Sequence, residues 1–162
     1  MRDRLLHQAI YRKLYQIFDP GFIFDSYSCR KKKGVHRAVN RLECFIKKVS
    51  ENYHMPVYVL KCDVRKFFDS IDQRILFSLI QKKVRDSDAL DLIRIILKSF
   101  EFAPGRGLPL GNVTSQLFSN IYLNELDQFI KHQLKVKYYI RYCDDFVIVH
   151  QDPVYLKSLI EP

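Results

Sequence analysis

The stretch YIRYCDDFVIVH, Tyr139 to His150, restricts what this chain can fold into more than any other. Tyr, Ile, Val and Phe flank two adjacent carboxylates, Asp144 and Asp145, which is the pattern of two short strands joined by a tight acidic turn. A β-hairpin with carboxylates at its tip is predicted. Asp enters turns for a local reason, because its side chain hydrogen-bonds nearby backbone. The pair therefore acquires chemical meaning only if a second acidic site accompanies it.

A second site is present. VYVLKCD, Val57 to Asp63, is a β-rich run that ends in a carboxylate. Around these strands lie helical patterns. Arg4 to Phe18 carries Leu5, Ile10, Leu14 and Ile17 at helical spacing and is stopped by Asp19-Pro20-Gly21. His36 to Tyr53 carries Val39, Leu42, Ile46 and Val49 on one face. Gln73 to Lys83 and Ala89 to Phe100 follow, then the Gly/Pro segment APGRGLPLGN. A long helix from Thr114 to Leu134 comes next, with Leu117, Phe118, Ile121, Tyr122, Leu126 and Phe129 as a buried stripe. Carboxylates gathered at a sheet end repel one another unless a divalent cation lies between them. A magnesium site is expected, and two metals sharing Asp ligands is an arrangement suited to in-line phosphoryl or nucleotidyl transfer.

With 162 residues and 48% hydrophobic content the chain can build a real core, and no linker composition divides it, so one compact unit is expected. Its longest apolar runs, such as LIRIIL, are too short to span a bilayer, and MRDRLLHQ lacks a secretory apolar region; a cytoplasmic protein without membrane contact is expected. Cys29, Cys44, Cys62 and Cys143 show no metal spacing and read as reduced, mostly packed thiols. The net charge of +9 is concentrated early, with 12 Lys and Arg against 5 Asp and Glu in residues 1–55. There Arg30, Lys31, Lys32 and Lys33 follow the aromatic stretch FIFDSYS, a composition that tracks a phosphate backbone when it is not simply a solvated loop.

Three segments in order carry a family resemblance. CDVRKFFDSI (Cys62 to Ile71), GLPLGNVTSQLFSNIYLNELD (Gly107 to Asp127) and YCDD (Tyr142 to Asp145) resemble the first three palm motifs of reverse transcriptases. DRLLHQAI and SYSCRKKKGVHRAV resemble finger segments of the bacterial enzymes related to group II introns. The resemblance implies an α/β palm, an antiparallel sheet packed on helices, with residues 1–55 as partial fingers and 56–162 as catalytic palm. It implies RNA-directed DNA synthesis with an RNA template, a DNA or RNA primer and deoxynucleoside triphosphates, served by two Mg2+ or Mn2+ ions. Asp63, Asp144 and Asp145 are then the catalytic carboxylates, joined at the metals by the backbone carbonyl of Val64. Phe68 takes the place where a ring excludes a 2′-hydroxyl. Arg30, Lys31, Lys32, Arg65 and Lys66 face nucleic acid. Which of Phe67 and Phe68 packs inward is left open by periodicity.

Leu110-Gly111 followed by Ser115-Gln116 resembles the enzymes of diversity-generating retroelements, which copy adenines with errors, and an accessory protein joins the expected partners. Leu110 and Gln116 would then border the incoming nucleotide with Gly111, where an aliphatic side chain loosens constraint on the nascent pair; the alternative is a tolerated apolar substitute. The chain lacks segments matching the later palm motifs and the thumb. Weak activity on its own is expected, and the competing reading is a non-catalytic nucleic-acid-binding relic or a fragment of a group II intron or retron enzyme.

Overall fold

The computed structural model describes residues 2–160. Glu161 and Pro162 lie outside the described residues, as does the side chain of Asp3 in DRLLHQAI. In chain order the elements are α1 (Arg2–Phe18), α2 (Val35–Val49), β1 (Tyr58–Cys62), α3 (Phe67–Ser70), α4 (Gln73–Gln81), α5 (Ser87–Lys98), α6 (Val113–Gln128), β2 (Tyr139–Tyr142), β3 (Asp145–His150) and α7 (Pro153–Ser158). They belong to two compact units, each built from two separate stretches of chain: residues 23–64 with 127–162, and residues 1–22 with 65–126. This division differs from the expected single unit with a boundary near residue 55. Composition cannot reveal it, because none of the three crossings between units, after residues 22, 64 and 126, falls at an extended Pro-, Gly- or Ser-rich linker of the kind that marks a boundary in sequence.

The first unit holds the sheet, which is antiparallel in the order β1-β3-β2, so the hairpin strand β3 is central. One face is covered by α2, where Ala38, Phe45 and Val49 are buried with Tyr27, Ile140 and Val149, and Leu42 and Ile46 pack partly against them. The expected face of α2 is therefore rotated: Val39 is 57% exposed, because positions 38, 42, 45 and 49 bring the large Phe45 ring inward, and that ring removes more apolar surface from water than Val39 would. The helix also stops at Val49, short of Tyr53. Glu51, Asn52 and Tyr53 take positive φ values of 51°, 57° and 69° and cannot extend it.

The second unit is helical. Leu14, Tyr15 and Phe18 of α1 are buried whereas Leu5 and Ile17 are exposed, again a rotation toward the larger rings. Asp72 and Asp86 cap α4 and α5 by accepting from backbone N–H groups of the first turns. Leu117, Phe118 and Ile121 of α6 are buried as expected. Beyond Gln128 the helix widens into a π turn over Phe129–Gln133, closed by Leu134 N donating to Phe129 O at 3.0 Å. The extra residue in that turn shifts the inward face, so Ile130 is buried and Phe129, expected inside, is 49% exposed. The cysteines are free, but Cys29 and Cys44 are exposed rather than packed.

Candidate functional site

The hairpin forms where alternation predicts it. Tyr142 pairs with Asp145, leaving Cys143 and Asp144 as a two-residue turn. Cys143 takes φ +58°, a left-handed conformation that costs a residue with a β-carbon about 1 kcal/mol or more. β1 pairs with β3 up to Cys62 opposite Phe146. Asp63, the next residue, therefore reaches the same end of the sheet as Asp144 and Asp145, with Val64 directly after it. Lys61 Nζ lies 3.5 Å from Asp145 Oδ1 in an exposed pair that contributes little to stability but offsets like charge at this end. Strand alternation puts Asp63 on the side of β1 that Lys61 occupies.

Among the described residues no three His, Cys, Asp or Glu side chains converge as a ready-made metal cage. Asp63, Asp144 and Asp145 share one end of the sheet. Hard carboxylate oxygens nevertheless suit magnesium, which takes one or two protein carboxylates and fills its other positions with phosphate and water oxygens. The donor set fits such a partial site, with Asp63 and Asp144 as its carboxylates.

Beneath the turn lies a polar network that sequence reading did not single out. Arg141 and Asp127 have side chains 0% exposed and form a two-pronged ion pair, Nε to Oδ1 at 2.8 Å and Nη2 to Oδ2 at 2.6 Å. Nη2 also donates to Ser26 Oγ at 3.1 Å, and Nη1 donates to the carbonyl oxygen of Cys143 at 2.8 Å. Tyr139 donates its hydroxyl to Asp127 Oδ1 at 2.6 Å. Burial opposes the charge of Arg141, yet its pKa is raised because the hydrogen bonds and charge of Asp127 outweigh that burial. Burial also raises the Tyr139 phenol, with Asp127 adding to it, and raises the Cys143 thiol to about 11, with Asp144 adding to it. The available signal was an arginine at an inward position of an apolar alternation.

The remaining candidates on the carboxylate-bearing unit are the basic loop. Arg30 is already engaged: its Nη1 donates to Ile23 O at 2.7 Å and Ser26 O at 3.1 Å, closing its own loop. Lys31 and Lys32 are exposed. Lys33 bonds Phe24 O at 2.6 Å and lies 3.6 Å from the centre of the exposed Phe24 ring, a cation–π contact that joins an aromatic surface to a basic one.

The other unit carries the nucleotide-binding candidates. Phe67 is buried and Phe68 half-buried, which settles which ring packs inward. They lie in the single turn α3, not in a strand, with Lys66 at φ +50° starting it; Arg65 and Lys66 are exposed. Leu108 N donates to Phe68 O at 2.9 Å and Gly107 N to Ile71 O at 2.9 Å, so the Gly/Pro segment runs beside α3. Gln73, also missed in the sequence, is buried and its Nε2 lies within 2.8 to 3.0 Å of the carbonyls of Leu97, Phe100 and Gly107, fixing the start of that segment. Leu110 is 75% exposed. Gly111 has φ +87° and borders a cleft of about 730 Å³ lined also by Arg4, His7, Ser99 and Asn112. Gln116 is exposed on the first turn of α6.

Residues 1–161 match the profile of the reverse transcriptase (RNA-dependent DNA polymerase) family. The chain belongs to that family. Among curated proteins it is 27% identical over 136 residues to protein YkfC of Escherichia coli strain K12, covering 80% of this chain and 35% of that protein. It is 30% identical over 142 residues to the group II intron-encoded protein LtrA of Lactococcus lactis subsp. cremoris, covering 84% of this chain and 22% of that one. This reverse transcriptase chain thus spans about a fifth to a third of those relatives. Among solved structures it resembles apo telomerase from Candida tropicalis truncated from its C-terminal domain, with a TM-score of 0.63 at 15% identity, over 98% of this chain and 35% of that one. Telomerase from Candida albicans in complex with a fragment of telomeric RNA gives 0.62 at 14% identity, covering 97% and 31%. At such identity the likeness establishes the fold alone, an α/β reverse transcriptase palm. Among the described residues no helix is long and apolar enough to cross a membrane.

Proposed function

We propose that this chain is the catalytic core of an RNA-directed DNA polymerase, extending a primer 3′-hydroxyl with deoxynucleotides along an RNA template. The observation that carries the reading is the β1–β3 register, which brings Asp63 to the sheet end where the hairpin presents Asp144 and Asp145. Asp63 and Asp144 would hold Mg2+ or Mn2+ with the Val64 carbonyl, and Asp145 would keep the site acidic. When bound, two such ions supply charge stabilisation for attacking and leaving oxygens. The protein's own part is placement: strands fix the carboxylates, the half-buried Phe68 ring would exclude a 2′-hydroxyl, and exposed Lys31, Lys32, Arg65 and Lys66 would contact phosphates. Arg30 contributes by closing the loop that carries Lys31 and Lys32.

The test is primer extension on an RNA template in Mg2+, using these residues within a longer polymerase chain. Asp144→Asn and Asp63→Asn are each expected to reduce extension on the order of a hundredfold or more, because a neutral amide cannot replace the charge that holds the metal. Wild-type yield from either variant would leave the non-catalytic nucleic-acid-binding reading in its place.

Exposed Leu110 beside Gly111, with Gln116 after it, supports a finer reading as a diversifying enzyme acting with an accessory protein. The similarity to group II intron-encoded proteins supports the alternative. Leu110→Gln would decide: a diversifier should lose misincorporation opposite template adenine while other template bases are copied as before, and unchanged error at adenine would count against the role given to Leu110.

A further inference from the structure

We propose that the buried Arg141–Asp127 ion pair is a positioning device for Asp144: the guanidinium grips the carbonyl of Cys143 and so fixes the peptide plane from which the Asp144 side chain departs. This rests on the reading of Asp144 as a metal-holding carboxylate.

Three observations lead there. The pair is fully buried, and a buried ion pair is a weak source of stability, since the cost of removing both charges from water roughly cancels their attraction and a well-packed apolar pair often serves as well. What else the pair holds in place therefore matters more than its own stability. The guanidinium has a branch to spare: Nε and Nη2 are engaged by Asp127 and Ser26, while Nη1 reaches out of the network to Cys143 O at 2.8 Å. Finally, that carbonyl belongs to the one residue of the turn held at positive φ, +58°, a conformation that relaxes unless its surroundings hold it.

The anchoring end is equally determined. Asp127 accepts from Tyr139 as well as from Arg141, and the backbone of Arg141 is bonded on both sides, with its N–H donating to Asp25 O at 2.9 Å and its carbonyl accepting from Tyr27 N–H at 3.0 Å. Asp25 in turn accepts from Arg41 at 2.8 Å. The guanidinium is thus a rigid fork with one end in the protein interior and the other under the turn. Lysine retains the charge but cannot present three directed donors in one plane.

The experiment uses the 162-residue chain with Mn2+ alone as probe, in wild type, Arg141→Lys, the apolar double replacement Arg141→Met with Asp127→Leu, and Asp144→Asn. Thermal melting reports the fold, the backbone order parameter of the Asp144 amide reports the turn, and electron paramagnetic resonance titration reports Mn2+ binding. The double replacement is expected to keep a cooperative melt, at a lower temperature because the buried Tyr139 hydroxyl loses its acceptor. In it and in Arg141→Lys, the Asp144 order parameter should fall from about 0.85 to below about 0.6, and Mn2+ affinity should drop at least tenfold. A folded variant of either kind with wild-type order and affinity overturns the proposal. So does loss of folding in both, which would make the pair a fold requirement. Should wild type and Asp144→Asn bind Mn2+ alike, the polymerase reading fails while the order parameter still decides whether Arg141 holds the turn.

Discussion

Cys143 shows how much one residue's surroundings change its chemistry. Burial, with the Asp144 charge adding to it, lifts its thiol from the ordinary 9.0 to about 11. The neutral thiol is favoured in the folded chain, so its contribution to stability is complete below pH 9 and is lost as pH rises toward 11. Tyr27, lifted from 10.0 to about 12 by burial and by Asp25, acts in the same direction over the next window. The melting temperature is expected to fall as pH rises from 9 to 11, and Cys143→Ser to flatten that slope; an unchanged slope would show that the thiol is indifferent to folding. At pH 8 iodoacetamide should label exposed Cys29 and Cys44 well before Cys143 and the half-buried Cys62, whose thiol burial also raises. Peptide mapping by mass spectrometry gives the order directly.

Among the elements, α2 offers the sharpest contrast between pattern and packing. Val39 and Phe45 both fit an amphipathic stripe, yet only Phe45 reaches the core, where its ring meets Tyr138 edge-on at 5.3 Å between centroids. Phe45→Ala should destabilise by about 3–5 kcal/mol and Val39→Ala by less than about 0.5 kcal/mol, as chemical denaturation would measure. At the start of α6, Gly111 has open space where a β-carbon would stand but a φ of +87°. Gly111→Ala is expected to cost about 1–2 kcal/mol through backbone strain alone, so a neutral result would mean that the segment readjusts.

For the whole molecule, the division into two units spreads the basic charge that the sequence concentrates in residues 1–55, since residues 1–22 join one unit and residues 23–64 the other. Both units therefore carry cationic surface, which attracts a nucleic acid duplex without fixing where its end lies. The isolated chain is expected to bind RNA–DNA duplex weakly, with affinity falling steeply between about 50 and 200 mM salt as counterions are released, and to extend a primer poorly. Binding that ignores salt would show the Lys and Arg residues to be solvated surface only. Efficient extension would show that the acidic end and its helices suffice to hold a primer terminus.

The sequence by itself determined the elements and the acidic chemistry, because both are written in short-range order. Alternating apolar residues around Asp144 and Asp145 specify a hairpin with little help from elsewhere, and VYVLKCD specifies a strand that ends at Asp63. Three motifs in register were enough to point to the family. What only the tertiary structure decided depends on contacts between distant residues. Those contacts chose Phe45 over Val39 and Ile130 over Phe129 for the interior, divided the chain into two units of two stretches each, and brought Asp63 to the sheet end that carries Asp144 and Asp145. They also set Arg141 against Asp127 and Ser26, 14 and 115 residues away, because a buried charge must find its partners wherever the fold brings them, and no local periodicity records that distance.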